Sequence, residues 1–242
     1  MIIVNWKKSL PPILRRVESM GYKIFTKKDY DLNLIGVRSP SRTPGRFDDM
    51  FYCVYKDRGD WMEERYVCTT DASLEQHLDP SNSKGVAILK PGQYRGAWKL
   101  DMHRNSYLAL CQRGAKVTVY RDNNKDNKTD YLEEDTGWFG INIHRAHSSK
   151  LVDSTRYYSA GCQVIQNPAD FARLIGLAQL QVGIGYDSFS YTLIEADPEE
   201  EEWTRQQCQI YGWISLQMRL SSVSSYINTG IKERRIKSRE TR

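Results

Sequence analysis

Short segments rich in aromatic and β-branched residues recur along this chain, with Gly-, Pro- or Asp-containing turns between them. Turns at intervals of about eight to twelve residues suit strands better than helices and point to a β sandwich or barrel core. The strongest instance is Met50–Lys56 and Trp61–Thr69 on either side of Asp57-Arg58-Gly59-Asp60. Strand-forming residues flanking a Gly turn predict a hairpin. Tyr22–Phe25, Leu32–Val37, Val86–Leu89, Tyr107–Cys111, Lys116–Tyr120, Trp138–His144 and Phe189–Ile194 read as further strands.

Two segments break the rhythm. In residues 9–20, Ser9 can cap, Pro11 and Pro12 suit a first turn, and Ile13, Leu14 and Val17 share one face, so a helix is predicted. In residues 168–182, Pro168 opens a run in which Phe171, Leu174, Ile175 and Ala178 fall at helical spacing. The fold class expected is therefore mainly β (α+β), with one or two short helices. Asp197-Pro198-Glu199-Glu200-Glu201-Glu202 marks a boundary, because like charges beside a proline oppose compact pairing. The division expected is an N-terminal α+β segment (1–84) packing on a core domain (85–196), then an appendage (197–242).

An apolar fraction of 40 % supports a globular core. No run reaches the roughly 18 apolar residues that a spanning helix needs. The apolar block at Met1–Val4 is shorter than a signal-peptide core, so the expectation is synthesis in a cytosol without a leader. The net charge is +5, and residues 232–242 hold six cations against two glutamates. Such a tail either contacts an anionic polymer or is simply solvated. No interleaving of aromatic and basic residues in the body supports nucleic-acid binding.

The five cysteines (53, 68, 111, 162 and 208) include no Cys-x-x-Cys pair, which removes zinc knuckles and dithiol redox motifs from consideration. Cys53 and Cys68 flank the predicted hairpin and are expected to be reduced. Cys162 differs in following Ser159-Ala160-Gly161. Eighteen residues upstream, Gly140-Ile141-Asn142-Ile143-His144 ends a predicted strand on a histidine. A thiol needs a base to become a nucleophile near neutral pH, and imidazole is the usual one. Glycine beside it leaves room for a substrate carbonyl and for N–H groups that hold an oxyanion. The competing reading is a core cysteine that happens to follow glycine.

The histidine at a strand end followed by Ser-x-Gly-Cys resembles the active-site signature of the L,D-transpeptidase (YkuD-like) catalytic domain. The matching residues are His144, Ser159, Gly161 and Cys162, and the wider chain resembles proteins of tailed bacteriophages. The resemblance implies a YkuD-like β sandwich or barrel, with peptidoglycan stem peptides as substrate. It also implies His144 as base, Cys162 as nucleophile, N–H groups near Gly161 and Cys162 for the oxyanion, and Ser159 orienting the loop. Arg145 stands where the family carries glycine, and Val164 stands where it carries an arginine. Arg145, Arg156 and Arg173 are the candidates to replace that cation towards substrate. No cofactor is required by this chemistry. The alternative is a phage tail or baseplate protein that carries an inactive or wall-binding copy, with 197–242 contacting other virion proteins. His77, His103 and His147 are given no catalytic role.

Residues 122–133 raise a separate possibility. Asp122, Asn124, Asp126, Lys128 (through its carbonyl), Asp130 and Glu133 fall at positions 1, 3, 5, 7, 9 and 12 of a calcium-loop spacing. Asn127 would supply the left-handed residue at position six. A structural calcium ion and a plain polar hairpin loop both fit, since Asp and Asn also favour turns.

Overall fold

In the computed structural model, residues 1–197 are described. They form strands β1 (Ile2–Lys7), β2 (Asn33–Arg38), β3 (Asp49–Asp57), β4 (Asp60–Thr69), β5 (Val86–Leu89) and β6 (Gly92–His103). These are followed by β7 (Tyr107–Gln112), β8 (Val117–Asp122), β9 (Glu133–Gly137), β10 (Ile143–Arg145), β11 (Gln163–Ile165) and β12 (Ser188–Glu195). The helices are α1 (Pro12–Ser19), α2 (Leu74–Leu78) and α3 (Pro168–Gly183). The mainly-β expectation holds.

Strands β4, β11, β10, β7, β6, β12, β2 and β3 pair in that order, and β3 pairs back onto β4. The result is a closed eight-strand barrel. Closure matters because an open edge exposes unpaired N–H and C=O groups. Strand β1 adds to β4 on the side where β11 also pairs. Two pairings are parallel, β10 with β11 and β12 with β2. A second sheet, β5-β8-β9, packs around Ala72, Val86 and Ile88.

The β3–β4 hairpin lies where the turn chemistry puts it. Arg58 and Gly59 both have positive φ (51° and 75°), the two-residue geometry that follows the natural strand twist. Aromatic side chains dominate the core. Phe51 stacks on Tyr191 at 5.6 Å, and Trp98 meets Tyr191 edge-on at 5.5 Å. Their polar atoms are satisfied: Trp98 Nε1 donates to Ile141 O (2.7 Å) and Tyr191 Oη to Gln163 Oε1 (2.9 Å). On α3, Asn167 caps the first turn through Ala169 N–H, and Phe171, Leu174, Leu177 and Ala178 are buried.

Several elements differ from expectation. Strands β2, β3 and β4 are staves of the barrel, so residues 1–84 share one closed sheet with residues 85–196 instead of packing on it as a separate segment. Ser9 does not cap α1, which starts after Pro11 with no side-chain cap. Tyr22–Phe25 is not a strand. The Asn33 amide bonds both Phe25 N–H and Phe25 O, replacing a ladder with one side chain. Trp138–Asn142 is irregular, and only Ile143–Arg145 forms the strand that carries the histidine. Cys53 sits opposite Glu64 and Cys68 opposite Asp49, and neither is in a disulfide, in line with the expected reduced thiols. The 198–242 part of the appendage, including the basic tail and Cys208, lies outside the described residues. Among the described residues, no helix is long and apolar enough to cross a membrane.

Candidate active site

Parallel pairing of β10 with β11 brings the two halves of the sequence signature together. His144 lies opposite Val164 across the pair, so Cys162, just before β11, lies close to the start of β10. Cys162 Sγ receives the Asn142 N–H (3.5 Å) and donates to Gly140 O (3.4 Å). No hydrogen bond joins the thiol to His144, so in this geometry the thiol must turn away from Gly140 to meet the ring.

His144 is buried, and its Nδ1 lies 2.8 Å from its neighbour's carbonyl, Arg145 O. A carbonyl oxygen only accepts, so Nδ1 carries the hydrogen and Nε2 keeps the lone pair. This is the tautomer a general base needs, fixed by backbone and not by a carboxylate. Burial and the neighbouring His103 push the His144 pKa down to about 3. Burial raises the Cys162 thiol, against the Asn142 N–H and Arg104, which lower it. The resting pair is therefore thiol and neutral imidazole, not thiolate and imidazolium.

Ser159 is buried and organises the loop. Its Oγ lies 2.7 Å from Asp71 O and 3.0 Å from Cys162 O, and it accepts the Gly161 N–H at 3.1 Å. Gly161 N–H is thus engaged inside the loop and is not free to hold an oxyanion, a correction to its expected role. Gly161 has φ +120°, and a Cβ there would come within 1.9 Å of Ala87 O on β5. Close approach to β5, more than substrate access, is what requires glycine here.

The candidate cations are disposed unequally. Arg145 lies over the Tyr107 ring at 4.1 Å, beside the histidine. Arg156 is exposed on the short 3-10 turn Arg156–Tyr158 that leads to Ser159. Arg173 is removed from the site, because its guanidinium bonds the buried Glu64 carboxylate at 2.7 Å and Tyr55 Oη at 3.1 Å. Arg104, at the tip of the β6–β7 hairpin, is close enough to lower both Cys162 and His144.

Three residues of this cluster carry no motif of their own in the sequence. Asn142 lies two before His144, at the residue that leads into β10. Its Oδ1 accepts Gln112 N–H at 2.9 Å, and its Nδ2 donates to His103 Nδ1 at 3.1 Å. The His103 ring stacks on His144 with centroids 4.5 Å apart. Tyr107 Oη lies 3.5 Å from His144 Nδ1. His103 and Tyr107 have no local signal, since strand pairing alone brings them in. His147 caps its own loop, accepting the N–H groups of Ser149 and Lys150.

The 122–133 loop does not gather its oxygens. Asp122 Oδ2 accepts Asp130 N–H (2.8 Å) and faces His77 Nδ1 (3.3 Å). Asn124 Nδ2 donates to Asp130 Oδ2, and Asp126 Oδ1 accepts Lys128 N–H. Glu133 is exposed in the β8–β9 ladder opposite Arg121. The left-handed residue is Lys125 (φ 60°), not Asn127. Among the described residues, no group of three or more His, Cys, Asp or Glu is placed to hold a metal ion. His77, given no role from sequence, is buried between Asp71 (3.4 Å) and Asp122. It ties this loop to the strand end whose Asp71 carbonyl faces Ser159.

A cavity of about 420 Å³ opens elsewhere, lined by Phe25, Asp31, Arg95, Tyr186 and Ser190 among others, and shares no residue with the cysteine cluster. Comparison with protein-family models, curated proteins and solved structures finds no match to this chain.

Proposed function

We propose that Cys162 and His144 form a thiol acyl-transfer site acting on peptide carbonyls, with peptidoglycan stem peptides as the substrate class, as the L,D-transpeptidase resemblance implies. The observation that carries this reading is the 2.8 Å contact of His144 Nδ1 with a backbone carbonyl, which directs the ring hydrogen to Nδ1 and leaves the lone pair on Nε2. The Asn142 N–H on Cys162 Sγ adds to it, because a donor on sulfur stabilises the developing thiolate.

In the reaction, Nε2 of His144 takes the Cys162 proton as sulfur attacks the peptide carbonyl carbon. The tetrahedral oxyanion collapses to a thioester, and the departing amine leaves with the proton from the imidazolium. An incoming amine or water gives up a proton to the same nitrogen, forms the new bond and restores the thiol. The resting protonation state makes His144 a base for the transition state and not the partner of a preformed ion pair. Arg104 and Arg145 are the cations beside the site that an anionic stem peptide would meet.

A second reading has its own observation. Cys162 Sγ is engaged by Asn142 N–H and Gly140 O and not by His144, which is also the arrangement of a resting copy of the site carried by a phage tail or baseplate protein. Incubation of the protein and its Cys162→Ala variant with peptidoglycan fragments separates the two. Cleaved or exchanged stem peptides that disappear in the variant support the enzyme. Identical products from both proteins exclude Cys162 as the nucleophile.

A further inference from the structure

We propose that His103 is a positioning residue for His144, and that protonation of His103 switches the His144 base off. This rests on the reading of Cys162 and His144 as a thiol–base pair.

The geometry fixes His103 from two sides. Gln112 N–H on Asn142 Oδ1 sets the orientation of the Asn142 amide, which leaves Nδ2 to donate to His103 Nδ1. His103 Nδ1 is therefore an acceptor, and the neutral ring carries its hydrogen on Nε2. The face of that ring covers His144 at 4.5 Å with an interplanar angle of 21°. The same Asn142 places its backbone N–H on Cys162 Sγ. One side chain thus buttresses the base and holds the residue that contacts the nucleophile.

The surroundings explain the switch. A second proton on His103 would point Nδ1–H at the Asn142 amide hydrogens and set a cation against His144. Arg104 follows it on the hairpin tip, and Arg113 lies beyond β7, paired with Asp101. Tyr107 meets the His103 ring at 5.4 Å and carries Arg145 on its own ring, while the Cys162 thiol meets Asn142 N–H and Gly140 O. Asp101 is the carboxylate in this set, and it is engaged by Arg113. Burial, Arg104 and Arg113 hold His103 below the usual imidazole range, and burial together with the neighbouring His103 pushes His144 down to about 3. On acidification the stacked pair accepts its first proton on His103. A charged His103 then opposes transfer of the thiol proton to His144, because two stacked imidazoliums repel.

Alkylation of Cys162 by iodoacetamide, followed by peptide mass mapping from about pH 4 to pH 9, tests this without a substrate. Base-assisted reaction of a thiol is independent of pH while His144 is neutral. The wild type is expected to show such a plateau near neutrality that falls as His103 titrates. His103→Phe keeps a ring on His144 but cannot charge and cannot accept from Asn142, so its plateau should lie lower than the wild type's yet extend to more acidic pH. His144→Ala should lose the plateau and follow the thiolate fraction alone. A common acid limb in wild type and His103→Phe, with His144→Ala distinct, overturns the switch and leaves the thiol–base pair standing. Identical profiles for wild type and His144→Ala overturn the pair itself. If His103→Phe fails to fold by near-ultraviolet circular dichroism, imidazole NMR titration of the wild type decides. Protonation of His103 with His144 still neutral is expected, and protonation of His144 first, or of both together, refutes the proposal.

Discussion

Replacing Gly161 by alanine separates two reasons a chain keeps glycine before a nucleophile. If glycine were there only to let substrate approach, the substitution would impair binding and leave the fold alone. The structure assigns it a structural duty. At φ +120° an L side chain is strained, and the added Cβ would stand 1.9 Å from Ala87 O and 3.0 Å from Ala87 C. Those are backbone atoms of β5, held by pairing with β8, and cannot yield like a side-chain tip. The conformational part costs about 1–3 kcal/mol. Forced overpacking against an unyielding wall adds about 1–3 kcal/mol. Gly140, on the same side of the site, is the internal control, with φ +70° and no atom within 4 Å of the place its Cβ would take. Gly140→Ala should therefore lose only the conformational part. Urea unfolding should show Gly161→Ala less stable than Gly140→Ala by the overpacking difference, which for a domain of this size lowers Tm by roughly 2–4 °C per kcal/mol. Equal stability of the two variants would refute the close-approach account of Gly161.

Three further outcomes concern Ser159, His77 and Asp48. Ser159→Ala removes the acceptor of Gly161 N–H and the hydroxyl shared between Asp71 O and Cys162 O, so about 1–3 kcal/mol of stability should be lost in thermal melts. Burial alone would lower the His77 pKa, but hydrogen bonds and charge from Asp71 and Asp122 outweigh it and raise it. That contribution is fully present below the ordinary histidine range and is lost as pH rises through the raised value. The Tm advantage of wild type over His77→Gln should therefore shrink from pH 6 to pH 9, and a constant gap would contradict the Asp–His–Asp clamp. Burial and the adjacent Asp49 raise Asp48 to about 7, so its favourable term is full below the ordinary aspartate range and is lost as pH rises towards 7. Asp48→Asn should gain Tm relative to wild type across that window, measured by scanning calorimetry.

The parts of the fold that could be read from sequence are those with local causes. The β3–β4 hairpin declares itself through Arg58-Gly59 between aromatic runs, and α3 through Pro168 and its spaced apolar face. β6 alternates Arg95, Lys99 and Asp101 with Trp98, Leu100 and Met102 but opens on Gly92 and Gly96, which weaken the strand signal, and β9 is Glu133-Glu134-Asp135-Thr136-Gly137, with no apolar residue to mark a strand. Trp138 and Phe139 supply the opposite error, because aromatic residues suggest a strand where Trp138 is in fact 56 % exposed. At the site, His144 and Cys162 are legible because one parallel pairing converts their spacing into proximity. His103, Tyr107 and Arg104 are not, since they arrive on a hairpin whose neighbour in the barrel is set by closure. The acidic loop is ambiguous in sequence for a related reason. Asp and Asn side chains serve turns and ions with the same spacing, and only His77 and the loop's own N–H groups show which use Asp122 has.

The most direct test of the central claim is a covalent one. The protein is mixed with a stem-peptide donor, quenched in acid and measured by intact mass and peptide mapping. The account predicts a thioester-linked acyl group on the peptide containing Cys162, absent from Cys162→Ala and strongly reduced in His144→Ala. A folded wild-type protein that shows no adduct, and turns over no stem peptide, would contradict it.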